Sequence, residues 1–234
     1  MRNDCLIFGA PQLRRTPLGK RAGIPQRLDR RQTVQYLFEI RDELLAALWH
    51  FEQLQGAAKR WLELDDAWRA ADEEEEAEAA SAHESIRQQA FIFDALEAFL
   101  SAWARVSLLI FPVIGRGPMA AWRDERATTL QNVLRVSDLR IIEDRDLRDA
   151  WMHFDERLDD MVKEGKIPLR QRFARSDEVT DQACNTTLRL IEVDTLRVHY
   201  RGRDGSLCTA DLRALHAALV TLRERLQEAW RLRS

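Results

Sequence analysis

The sequence predicts a mostly α-helical protein, an antiparallel helical bundle followed by a small C-terminal β-hairpin and one further amphipathic helix. Three observations lead there. Apolar residues recur at three- and four-residue steps through most of the span 33–162, the pattern of helices with one buried face. Helix breakers gather at a few places, Pro112, Gly115, Gly117 and Pro118 and then Gly165 and Pro168, which divides the span into separate helices. Beyond residue 168 the apolar period shortens from the helical one to two, the period of a strand.

Residues 1–31 hold Pro11, Pro17, Pro25, Gly9, Gly19 and Gly23, too many breakers for a regular element, and they read as an N-terminal arm. The arm is basic: Arg2, Arg14, Arg15, Lys20, Arg21, Arg27, Arg30 and Arg31 stand against Asp4 and Asp29. Such an arm either lies solvated on the surface or adds salt-sensitive affinity for a nucleic acid.

The helical body is expected over 32–165. Val34, Leu37, Phe38, Leu44, Leu45, Leu48 and Trp49 mark its first helix, continued by Trp61, Leu64 and Trp68. The acidic run 72–78 fits a solvated helix end or loop between antiparallel helices, because consecutive carboxylates splay around a helix and do not converge on a metal. A second long helix is expected over 82–110 through Ile86, Phe93, Leu96, Leu100, Trp103 and Leu108, a third over 120–136, and a fourth over 143–162. Residues 166–234 form the last unit. Strands over 187–193 and 196–200 turn at Asp194 and Thr195, Arg203 to Gly205 makes another turn, and Leu212, Leu215, Leu219, Leu222, Leu226 and Trp230 mark a helix over 210–232. Most of the seven tryptophans fall at apolar helical positions and are expected to anchor the core.

Composition narrows the function. A chain of 234 residues with 45% hydrophobic content can fill a core of its own. Lys and Arg number 36 against 39 Asp and Glu, so a net charge of -3 excludes a general nucleic-acid coat. The cysteines, Cys5, Cys184 and Cys208, are far apart and form neither a disulfide framework nor a zinc motif. The most apolar stretch, 91–114, carries Asp94, Glu97 and Arg105 and reads as a buried helix, not a membrane span. The short apolar patch before Pro11 is too brief for a secretory leader, so a cytoplasmic protein without membrane contact is expected. No phosphate-binding glycine loop, nucleophile elbow or paired metal-ligand motif occurs, and neither a metal nor another cofactor is expected.

One constellation has the chemistry of a site. Residues 145–159 contain Arg148, Asp149 and His153 in an Arg-polar-x-x-x-His string. On a continuous helix Asp149 and His153 sit one turn apart, where the carboxylate accepts an imidazole N–H and orients the ring. Arg148 lies about 140° around the helix from His153, so one chain does not converge both on one phosphate. A two-fold dimer would bring the pairs together. The plainer reading places Arg148 and Asp149 in surface ion pairs with their charged neighbours and His153 beside Trp151 and Phe154. Asp149, His153 and Glu156 also share a helix stripe, but a metal there would need a second helix to complete its shell.

The string resembles the HEPN superfamily, in which an Arg, a polar residue directly after it and a His after four to six intervening residues lie on the last long helix of a bundle. Of the five histidines only His153 has an Arg at such an offset. The resemblance covers roughly 33–162. It implies a metal-independent endoribonuclease, active as a homodimer on RNA and leaving a 2',3'-cyclic phosphate, of the kind found as toxins with a cognate antitoxin or in phage defence. His153 would be the acid or base, Arg148 would stabilise charge on the phosphorane, and Asp149 would orient His153. The alternative is a HEPN-like module without catalysis that binds a nucleotide, RNA or a partner protein in a larger assembly. The hairpin, the final helix and the dense charge over 139–148 depart from the family's minimal pattern.

Overall fold

The computed structural model describes residues 28–70, 75–113, 115–117, 119–165, 172–202 and 204–231. The arm expected over 1–31 lies outside the described residues as far as residue 27, and so do residues 72–74 of the acidic run, Pro118, Pro168 and Arg203. The described chain is mostly helical, with a four-stranded sheet toward its C-terminal end. None of its helices is long and apolar enough to cross a membrane.

Helix α1, Arg30–Ala70, joins the two expected apolar segments into one helix of 41 residues, roughly 60 Å long. A reciprocal cap starts it: the Asp29 amide donates to Gln32 Oε1 at 3.0 Å and the Gln32 amide to Asp29 Oδ1 at 2.7 Å. Helix α2, Glu75–Ile110, returns antiparallel to it. Phe51 meets Phe99 with ring centroids 5.2 Å apart, and Arg105 reaches Glu43 at 2.7 Å. Helix α3, Ala120–Leu134, stops at Arg135, whose left-handed backbone (φ 52) returns its N–H to the Gln131 carbonyl.

The expected fourth helix is not continuous. Two 3₁₀ turns lead into α4, Arg145–Met152, and after His153 (φ -119, ψ 43) the chain re-enters a helix as α5, Phe154–Lys163. The two pieces are anchored separately, α4 by buried Leu147, Ala150 and Trp151 and α5 by buried Met161, and the backbone turns between the anchors.

The C-terminal elements are β1, Arg172–Ala174, α6, Asp181–Thr186, β2, Arg189–Glu192, β3, Arg197–Arg201, β4, Leu207–Asp211, and α7, Leu212–Arg231. The expected hairpin is β2 with β3, in a register that pairs Ile191 with Val198. Two strands go beyond it: β1 runs parallel to β2, and β4 antiparallel to β3 at the opposite edge. Asp211 opens α7 by accepting from the Arg213 and Ala214 amides at 2.9 and 3.0 Å.

One face of the sheet presents Ile191, Val198, Tyr200 and Ala210 to an apolar core that continues through Leu215, Leu219 and Leu222 of α7 into α1 and α2. Burying each such leucine contributes about 1.5–3 kcal/mol. Leu190, paired with His199, joins Ala174 and Ala183 on the other side of the sheet. Among the tryptophans, Trp61, Trp103 and Trp151 are buried, Trp122 and Trp230 are half-buried, and Trp49 and Trp68 are exposed.

Candidate functional site

Asp144 fixes where α4 begins, its carboxylate accepting the Leu147 amide at 3.1 Å. From that start Leu147, Ala150 and Trp151 turn inward, and Arg148 turns inward with them: it is only 3% exposed. Its Nη1 donates to the hydroxyl of Ser107, a fully buried residue of α2, at 3.4 Å, and its Nε lies 3.7 Å from Asp149 Oδ1. A guanidinium removed from water needs such partners, because an uncompensated buried charge costs several kcal/mol.

His153 is placed differently. Its side chain is 54% exposed, and Nδ1 lies 3.4 Å from Glu156 Oε1 in the first turn of α5. The expected Asp149–His153 side-chain pair is not formed. The His153 amide still bonds to the Asp149 carbonyl at 3.0 Å, but the backbone leaves the helix at His153 and carries the ring toward Glu156. Asp149 stays half-buried beside Arg148. The string is thus split into a buried cation and an exposed imidazole, and the expectation that Arg148 lies at the surface is corrected.

His153 and Glu156 thus form an exposed pair at the surface. Arg148, held in the core against α2, does not share that surface. The metal stripe considered for Asp149, His153 and Glu156 is divided by the same break, and among the described residues no group of three or more His, Cys, Asp or Glu is arranged to hold a metal ion. Around His153 the surface is acidic: residues 143–164 include nine Asp and Glu against four Arg and Lys, with Met152 and Val162 exposed among them.

Two polar clusters were not foreseen from sequence. Arg189 of β2 is buried; its guanidinium sits 4.0 Å from the centre of the Trp151 ring and donates to the Trp151 carbonyl at 3.1 Å, which ties the sheet to the end of α4. On the sheet face opposite the main core, buried Glu192 accepts from Thr195 and lies 2.9 Å from His199 Nε2, while His199 Nδ1 lies 2.9 Å from the Thr209 hydroxyl. Strand register makes His199 and Thr209 direct partners across β3 and β4 and sets Glu192 diagonal to His199 across β2 and β3. A buried carboxylate satisfied in this way holds the hairpin together. The phenol of Tyr200, on the core face, is pushed well above its ordinary range by burial and by Asp144. Compared with known protein families, with curated proteins and with solved structures, the chain matches none of them.

Proposed function

We propose that this chain is a HEPN-like helical module that works by binding a protein partner through α4 and α5, and not by cutting RNA. The observation that carries the reading is the burial of Arg148. A residue that must stabilise charge on a scissile phosphate has to reach it, and this guanidinium is engaged with Ser107 and Asp149 inside the fold. The charge of the exposed face points the same way. With buried Arg148 and the Asp149 beside it set aside, eight carboxylates against three cations over 143–164 repel a phosphate backbone and favour a basic protein segment, with Met152 and Val162 as its apolar contacts.

The test is a cleavage assay with the purified full-length chain, structured and single-stranded RNA, and excess EDTA. The expected result is intact RNA, with His153→Ala indistinguishable from the parent. Cleavage that leaves 2',3'-cyclic phosphate ends and disappears in a folded His153→Ala variant would overturn the reading.

The endoribonuclease reading is favoured by one observation, the exposure of His153 beside a carboxylate at a helix break. In that reading His153 exchanges a proton with the ribose 2'-hydroxyl or the leaving 5'-oxygen, a second copy of the chain completes the site, and Arg148 has to leave Ser107 to meet the phosphate. The setting would be a toxin with its antitoxin or a phage-defence system. The pH dependence separates the readings, because a ribonuclease of this kind gains and loses activity across the range where a histidine titrates.

A further inference from the structure

The end of α3 carries a feature that α4 and α5 do not involve. A cavity of about 350 Å³ lies there, walled by Phe111 just beyond α2, by Asn132 and Arg135 at the end of α3, and by Ser137 and Arg140 in the turns that follow. No carboxylate lines it. The Arg135 backbone is left-handed (φ 52) and its carbonyl accepts from Arg225, while its side chain is exposed. Arg225 also forks onto both oxygens of Asp138 at 2.6 Å, and this pairing lowers the Asp138 carboxyl to about 2. Asp138, next in sequence to Ser137, is therefore matched by its own cation. Arg140, largely exposed, meets Glu143 at 3.2 Å and keeps further N–H groups.

Asn132 also lines a larger cavity of about 710 Å³, together with Arg30, Glu125, Thr128 and Thr129. Leu28 lines the larger cavity, and it is preceded by 27 residues in which Arg2, Arg14, Arg15, Lys20, Arg21 and Arg27 stand against Asp4 alone.

We infer that the cavity at the end of α3 binds the phosphate of a nucleotide, free or within a single nucleic-acid strand, through Arg135 and Arg140. Two guanidinium forks with a serine hydroxyl and an asparagine amide supply more donors than the two oxygens of a carboxylate use, and they match the oxygens of a phosphate. The volume is that of a small-ligand pocket and exceeds what inorganic phosphate fills.

The test uses the full chain and a fluorescein-labelled 12-nucleotide oligouridine, followed by anisotropy at two salt concentrations, with 5'-AMP and inorganic phosphate as competitors. The charge-removing variant is Arg135→Asn with Arg140→Ala, since asparagine tolerates the left-handed backbone that Arg135 adopts. It should weaken binding at least about tenfold and flatten the salt dependence by about 1.4 in slope, roughly 0.7 for each charge removed in binding a single strand. Competition by 5'-AMP assigns the site to free nucleotides; binding of the oligouridine that 5'-AMP does not displace assigns it to a strand. Arg140→Ala alone carries the measurement if the double variant fails to fold. No binding of either probe, equal binding by parent and variants, or equal binding of polyglutamate would overturn the inference.

Discussion

Arg148 and His153 lie five residues apart, yet they occupy opposite environments. The α4 end of the pair is inside the protein, where Arg148 meets Ser107 and Trp151 lies under Arg189. The break between α4 and α5 is outside, where His153 meets Glu156 among further carboxylates. A buried cation constrains its surroundings, since each partner removed leaves an uncompensated charge; an exposed imidazole constrains almost nothing. Two residues that share one string therefore answer to different physics, and substitutions should separate them.

The largest effect is expected where α4 meets the sheet. Trp151→Ala should lower stability by about 3–5 kcal/mol in urea unfolding, because it empties a buried aromatic site. Arg189→Ala should cost about 2–4 kcal/mol, and the double variant less than the two together, with a coupling of at least about 1 kcal/mol. Additive losses would mean that the stacked pair does not hold sheet and helix together. A smaller effect belongs to the start of α4: Asp144→Ala removes the cap on the Leu147 amide and should cost about 1 kcal/mol.

The pH dependence should be smaller again. His216 stacks on Phe51 at 4.2 Å; burial lowers its pKa, Glu52 opposes the change and Arg223 adds to it. Burial and Arg105 lower His50 in the same direction. A lowered folded pKa means that the folded chain binds the proton more weakly than the unfolded one. This contribution is therefore complete above the ordinary histidine value of 6.5 and is lost as pH falls below it toward the folded pKa. Melting temperatures between pH 7 and 5 should fall gently, and His216→Phe should flatten that fall.

Much of this architecture is legible in the sequence. The three- and four-residue period finds α1, α2, α3 and α7, because each buries a face long enough to leave a pattern; alternation finds β3, and β2, buried along its whole length, is found only as its apolar hairpin partner. β1 has three residues and β4 reads Leu-Cys-Thr-Ala-Asp, too short or too mixed to show a period. The break at His153 is hidden for another reason: Leu147, Trp151, Phe154, Leu158 and Met161 keep helical spacing across it, and no Gly or Pro marks it. The inward turn of Arg148 is likewise a tertiary outcome. An arginine looks like a surface residue by type, and the only local hint is Ser107, a polar residue within an apolar stretch of α2.

The division of the string is tested most directly by equilibrium urea unfolding of Arg148→Ala and His153→Ala side by side, with Arg148→Met as a variant that removes the charge but keeps most of the volume. Arg148→Ala is expected to lose about 2–4 kcal/mol, from the vacated space and from the partners left on Ser107 and Asp149. His153→Ala is expected to stay within about 0.5 kcal/mol of the parent. If both alanine variants unfold with the parent, Arg148 is not held in the core, and the separation of a structural arginine from a surface histidine is contradicted.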